Sequence, residues 1–191
     1  VFNASRAAAL MTNDFISGTR SHLKEVSISN GESSEFPIRA AGTNALKVTI
    51  AWIDPPGNPP TIALDPTNSM LVHDFDLRLV SVASNTICYP WVLDPSTNED
   101  YSVRGAAATT GDNFRDNVEQ VVIASPNTND TYLVQITHKG TLAYGFHIVS
   151  VLIIGNVAGP KPTLLLTEST CRSTNGVPHR MAGGEGRPTL G

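Results

Sequence analysis

The sequence predicts an all-β fold, an antiparallel jelly-roll-like β-sandwich carrying one N-terminal α-helix. Three observations predict it. Apolar residues recur with period two in run after run. Turn-forming dipeptides separate those runs. No helical period alternates with them, which argues against a parallel α/β sheet. About seven to nine short strands spaced in this way make a sandwich or a jelly roll.

The elements follow in chain order. Residues 1–16, VFNASRAAALMTNDFI, have a helical period and several alanines, with Asn3 or Ser5 as N-cap and Gly18 as the stop. The period then changes. EVSIS, at 25–29, alternates. Leu46, Val48, Ile50 and Trp52 alternate with Lys47, Thr49 and Ala51, which puts the apolar set on one face. Phe75, Leu77 and Leu79 alternate with Asp74, Asp76 and Arg78. Further strands are expected at 118–124 and 132–138. The run 146–154 is apolar at nearly every position, as in a strand covered on both faces. Pro55-Pro56-Gly57, Pro59-Pro60, Asp65-Pro66, Asp94-Pro95, Gly111-Asp112-Asn113 and Lys139-Gly140 mark the turns. The expected division is a helical segment at 1–20, a sandwich at 21–157 and a Pro/Gly-rich tail or linker at 158–191.

Composition excludes several functions. With 40% hydrophobic residues the chain can bury a core, and its net charge of −4 offers no basic stripe for nucleic acid. No apolar run approaches the roughly 20 residues of a membrane span. Ala7 to Met11, preceded by Arg6, is too short for the core of a signal peptide. Cys88 falls in a strand-like run and Cys171 in the polar tail, which leaves their pairing open. Two sequons occur, Asn3-Ala4-Ser5 and Asn129-Asp130-Thr131.

Catalytic motifs are absent from the sequence. It contains no GxSxG elbow, no HExxH and no Gly-rich phosphate loop. Ser21 and His22 are adjacent, but neighbours in sequence seldom present side chains to one another, and the segment reads as a linker. His138 and His147 lie in or near strands and read as hydrogen-bonded structural residues. Tyr89, Trp91 and Tyr101 either form a sugar-stacking platform or pack near a core.

Oxygen-bearing side chains gather at two places. Asp74 and Asp76 share one face of a strand, and GDNFRDNVE, at 111–119, supplies several more just before another. Calcium takes six to eight oxygens from such loops, so Asp74, Asp76, Asp112, Asp116, Asn117 and Glu119 are the candidate calcium ligands. Two competing readings stand beside this one. Asp and Asn also start turns and accept backbone N–H bonds, and Arg78 and Arg115 could neutralise the carboxylates without a metal.

Several phrases in order carry a family resemblance. VFNASRAAAL resembles the last helix of a subtilisin-like catalytic domain, which follows that family's GTSMA nucleophile segment. LKVTIAWIDPPG, LVHDFDLRL, YPWVLDP and GDNFRDNVEQVVI resemble strands of the C-terminal β-sandwich of large subtilases, a domain similar to the P domain of proprotein convertases. The resemblance spans residues 1–154. His73 stands where the family phrase LVNDLDL has asparagine, and Asp116-Asn117-Val118-Glu119 stands where many members have NNVE. The GTSMA serine and the aspartate and histidine segments do not occur here, so no catalytic residue is carried over. The resemblance implies a non-catalytic accessory domain of a secreted serine endopeptidase, stabilising its catalytic domain or shaping substrate access. Its partners would be that catalytic domain, in the same polypeptide, and a protein substrate. The alternative is a carbohydrate- or cell-surface-binding sandwich, because jelly rolls host many unrelated functions.

Overall fold

A computed structural model describes residues 4–17, 22–62, 68–93, 105–155 and 157–158. Its alternating runs become strands with one buried row each. In β3 (Leu46–Ala51) Leu46, Val48 and Ile50 are buried while Lys47, Thr49 and Ala51 are half-buried on the other face. The same alternation buries Tyr132, Val134 and Ile136 of β9 (Thr131–Lys139) and Val149, Val151 and Ile153 of β10 (Phe146–Ile154). Burying each such side chain contributes about 1.5–3 kcal/mol, which is why period-two patterning fixes which face turns inward.

The remaining elements are α1 (Ala4–Ser17), β1 (Leu23–Ser29), β2 (Ser34–Ala40), β4 (Asp74–Ser81), β5 (Ile87–Cys88), β6 (Trp91–Val92), β7 (Thr109–Thr110), β8 (Val118–Ile123) and β11 (Val157–Ala158). One sheet runs β1-β10-β3-β8 and a second runs β11-β2-β9-β4-β5, with β6 and β7 as a separate ribbon. Every pairing is antiparallel. Strands distant in sequence lie side by side in both sheets, as in a double Greek key, so the jelly-roll expectation holds. Ile28, Val48, Ile50 and Val121 of the first sheet share one core with Ile38, Phe75, Leu77 and Ile136 of the second.

Two details differ from the sequence reading, and a third, the state of Cys88, was left open by it. The strand β2 was not expected, because SEFPIRA contains Pro37. At Pro37 only the β9 side is paired, since β11 reaches no further than Arg39 and Ala40, and a half-open edge tolerates proline. The run 146–154 is covered on one face only. Phe146 and Ile148 are each 51% exposed, because no third layer covers that side of β10 among the described residues. Cys88 is a free, half-buried thiol whose pKa burial raises, and Cys171 lies outside the described residues.

Helix α1, expected at 1–16, is described over Ala4–Ser17, and residues 1–3 lie outside the described residues. Ala4, Ser5, Ala7, Ala8, Ala9, Met11 and Thr12 are all exposed, so its described side chains bury little against the strands. The chain divides into two units, Val1–Lys161 and Pro162–Gly191. The first holds every described element, and the second, with most of the tail expected at 158–191, lies outside the described residues. No helix among the described residues is long and apolar enough to cross a membrane. Gly155 marks the crossing from β10 to β11. Its φ is +141°, and a Cβ there would sit 3.0 Å from the Ala45 carbonyl oxygen, so only glycine fits.

Candidate functional site

The end of β1, the starts of β4, β8 and β10 and the end of β9 all lie at one end of the sandwich. The acidic residues of the sequence gather there. Because Phe75, Leu77 and Leu79 turn into the core, Asp74, Asp76 and Arg78 share the outer face of β4. Asp76 is nonetheless buried. Register explains part of this, since Asp74 lies directly opposite Lys139 on β9. The Lys139 ammonium lies 3.1 Å from Asp74 Oδ2, 3.1 Å from Asp76 Oδ1 and 2.8 Å from Asp112 Oδ1. Arg78 adds contacts of 3.2 Å to Asp76 and 3.5 Å to Asp112.

Glu119 reaches the same place from the other sheet. It sits opposite Ile50, on the inner face of the edge strand β8, and is fully buried. β5 pairs only with Leu79 and Val80, so on that side of β4 no strand stands beside Leu77. The Leu77 N–H donates instead to Glu119 Oε2 at 2.6 Å. Glu119 Oε1 is buried without a partner, and so is Asp74 Oδ1. One oxygen each from Asp76, Asp112 and Glu119 fall within 4.8 Å of one another. The centre therefore joins β4, the segment after β7, and β8, and it bridges the two sheets.

Its electrostatics are those of too many acids in too little water. Burial pushes the Glu119 carboxyl up to about 8, helped by Asp76 and Asp112 and opposed by the Leu77 N–H and Arg78. Asp76 is raised by burial and by its hydrogen bond with Asp112. Asp112 is lowered, by that bond first and then by Lys139 and Arg78. Burial works against the charge of Lys139, but bonds to Asp112, Asp74 and Asp76 outweigh it and raise its pKa. With all four carboxylates ionised, Lys139 and Arg78 leave two negative charges uncompensated. Either a carboxyl keeps its proton or a divalent cation replaces it.

The six expected ligands thus divide. Asp76, Asp112 and Glu119 converge. Asp74 stands beside them, bound to Lys139. Asp116 and Asn117 go elsewhere: Asp116 Oδ2 accepts from Asn113 Nδ2 at 3.1 Å, and Asn117 Nδ2 donates to the Trp52 carbonyl at 2.8 Å, extending the β3–β8 ladder by one residue. Of the two expected arginines, Arg78 takes part and Arg115 stacks over Phe114 instead. Lys139 was missed. Only the β4–β9 register sets it across from Asp74, and no local pattern announces that register.

The donor set is all carboxylate oxygen, with one of its buried oxygens, Glu119 Oε1, unpartnered, which suits a hard divalent cation such as calcium. Asp76, Asp112 and Glu119 would hold it, and its charge would replace the proton on Glu119. Lys139, 41% exposed at its side chain, is the internal cation with which a metal would compete.

Of the three aromatics of the expected platform, Tyr89 and Trp91 lie among the described residues. The Arg78 guanidinium lies 4.7 Å from the Tyr89 ring centre and occupies one face of it. Trp91 is 45% exposed, and Tyr101 lies outside the described residues. No protein-family model and no curated protein matches the chain.

Proposed function

We propose that this chain is a non-catalytic accessory β-sandwich of a secreted subtilisin-like serine endopeptidase. Its acidic end holds calcium and stiffens the domain against the catalytic domain it serves. One observation carries the reading. LVHDFDLRL and GDNFRDNVEQVVI, two of the segments that resemble the subtilase sandwich, are also the two that supply Asp76, Asp112 and Glu119. A cation there would staple β4 to β8 across the sheets, which is the service an appended domain gives. The exposed helix α1 supports the same reading, since an amphipathic helix of this length needs another body to cover its apolar side.

Two measurements test the proposal. Sequencing the transcript upstream of the Val1 codon is expected to reveal a GTSMA-type segment, and an unrelated domain there overturns the family reading. The isolated chain is expected to cleave neither casein nor peptides. Hydrolysis that a serine-directed phosphonate abolishes, in a preparation free of contaminating protease, overturns the non-catalytic reading. For the sugar-binding alternative, Arg78 covers one face of Tyr89, and no observation on the described residues favours it over the first reading.

A further inference from the structure

A chain of imidazoles lies at the same end of the sandwich. His73, His138 and His147 surround the Phe75 ring, with centroids 6.3, 6.2 and 5.6 Å away. His73 is fully buried, and both its ring nitrogens are engaged. The Ala143 amide donates to Nε2 at 2.7 Å, and Nδ1 lies 3.0 Å from Nδ1 of His147. A backbone amide can only donate, so Nε2 of His73 is the bare nitrogen. The proton of the neutral ring is then on Nδ1, which donates to His147, whose own Nδ1 must be bare. One backbone amide therefore fixes both tautomers and keeps both rings neutral. A further proton has no place. On Nδ1 of His147 it would set N–H against N–H, and on Nε2 of His73 it would face the Ala143 amide.

Ala143 opens a turn that is held from two sides. Asn30 donates through Nδ2 to the Leu142 carbonyl at 3.2 Å and accepts the Leu142 amide through Oδ1, while its own amide donates to the Gly145 carbonyl at 3.0 Å. Between these grips Tyr144 has a φ of 66°, a region bulky residues avoid, and its side chain is 86% exposed. The clamp holds an aromatic side chain out in water on a backbone that would otherwise relax.

We propose that the His73–His147 pair is a proton-operated latch on the 140–145 turn. A proton taken up by His147 at Nδ1 breaks the bond between the rings, loosens the grip of His73 on Ala143, and releases Tyr144 from its presented position. The groups facing the pair are few. Asp54, beyond the end of β3, accepts the amides of Val72 and His73 and draws protons toward both rings. His138, from β9, accepts the Gly31 amide at Nε2 and repels a proton on His73. Burial is the largest influence on both rings and lowers both below the ordinary 6.5. The sign follows. The open turn binds the proton more readily than the closed one, so the latch stays shut above about pH 6.5 and yields as pH falls below it.

Amide exchange, expressed as protection factors, tests the latch on the chain as it stands. Between about pH 7.5 and pH 5 the amides of Ala143, Gly145 and Asn30 are expected to lose at least about tenfold in protection while Val134 and Val149 keep theirs. His147→Asn sets an oxygen near the place of Nδ1 and cannot titrate, and it is expected to hold the loss under about twofold. Unchanged protection in the parent chain overturns the proposal, as does an equal loss in His147→Asn or a loss shared by Val134 and Val149. A nitrogen-15 spectrum at pH 7.5 guards against a variant that misfolds. Bare Nδ1 on His147 and bare Nε2 on His73 support the latch, and the opposite tautomers overturn it.

Discussion

At the end of the sandwich built from residues 41–45, 82–86 and 124–130, buried polar groups meet partners close at hand. Ser81 Oγ donates to Asp130 Oδ2 at 2.8 Å and accepts the Ser84 amide. The Asp130 carbonyl takes the Ala40 amide, and the Tyr132 hydroxyl takes the Asn127 amide. The opposite end is different in kind. All three unpartnered buried side-chain atoms of the described residues belong to it: Asp74 Oδ1, Glu119 Oε1 and His138 Nδ1. A fold leaves buried polar atoms unmatched where something other than stability is at stake. One end is closed by turn chemistry, and the other is poised for a cation and a proton.

The largest effect should come from breaking the seam between the core and the poised end. Phe75 is fully buried and touches the Trp52, His73, His138 and His147 rings. Phe75→Ala is expected to cost about 3–5 kcal/mol in urea unfolding and to disturb both the acidic centre and the imidazole chain. A cost below about 1 kcal/mol would mean that the ring packs loosely and organises neither.

A smaller effect should separate the ends. Asp130→Ala strips Ser81 of its buried partner and is expected to cost about 1–3 kcal/mol with no change in the response to calcium. If the calcium response fell with it, the two ends would be coupled and the contrast between them would fail.

The smallest effect on folding, and the most telling, is expected of Glu119→Gln. The amide oxygen can still accept from Leu77, so metal-free stability near pH 6 should change by about 1 kcal/mol or less. The pH dependence should change more. Glu119, with its pKa raised from 4.5 to about 8, binds more protons folded than unfolded, so its contribution is whole below pH 4.5 and is lost as pH rises through 8. The variant should therefore gain on the parent between pH 5 and pH 9 when both are unfolded in chelator. A constant difference across that range would show that Glu119 does not titrate there.

How much of this was legible depended on whether a signal was local. The β4 alternation told in advance that Phe75, Leu77 and Leu79 go inward and that Asp74 and Asp76 go outward together. The double-sided apolar run of β10 was legible as a strand, but its second face stays half open, and sequence cannot say whether a layer will arrive to cover it. Pro37 hid β2, because proline reads as a break unless the half-open edge is known. At the acidic centre, Asp76, Asp112 and Glu119 were expected for their oxygens alone. That Glu119 would reach from an inner face to an unpaired amide of the other sheet, and that Lys139 would sit among the aspartates, depends on register and sheet packing. The same limit hid the placement of Asp116 and Asn117, which stand apart from the three that converge. Their side chains have the right chemistry and are spent on Asn113 and the Trp52 carbonyl.

The contrast between the ends rests on the cation, and calcium titration of metal-stripped protein tests it most directly. Because ligands must shed protons to bind, affinity should rise with pH up to about 8, where Glu119 ionises without help. Millimolar calcium is expected to raise Tm in the parent chain and in Asp130→Ala by similar amounts, and to leave Tm unchanged in Glu119→Gln combined with Asp76→Asn. A parent Tm that is the same in chelator and in excess calcium at pH 8 would contradict the account and leave Lys139 and Arg78 as the only cations the acidic end employs.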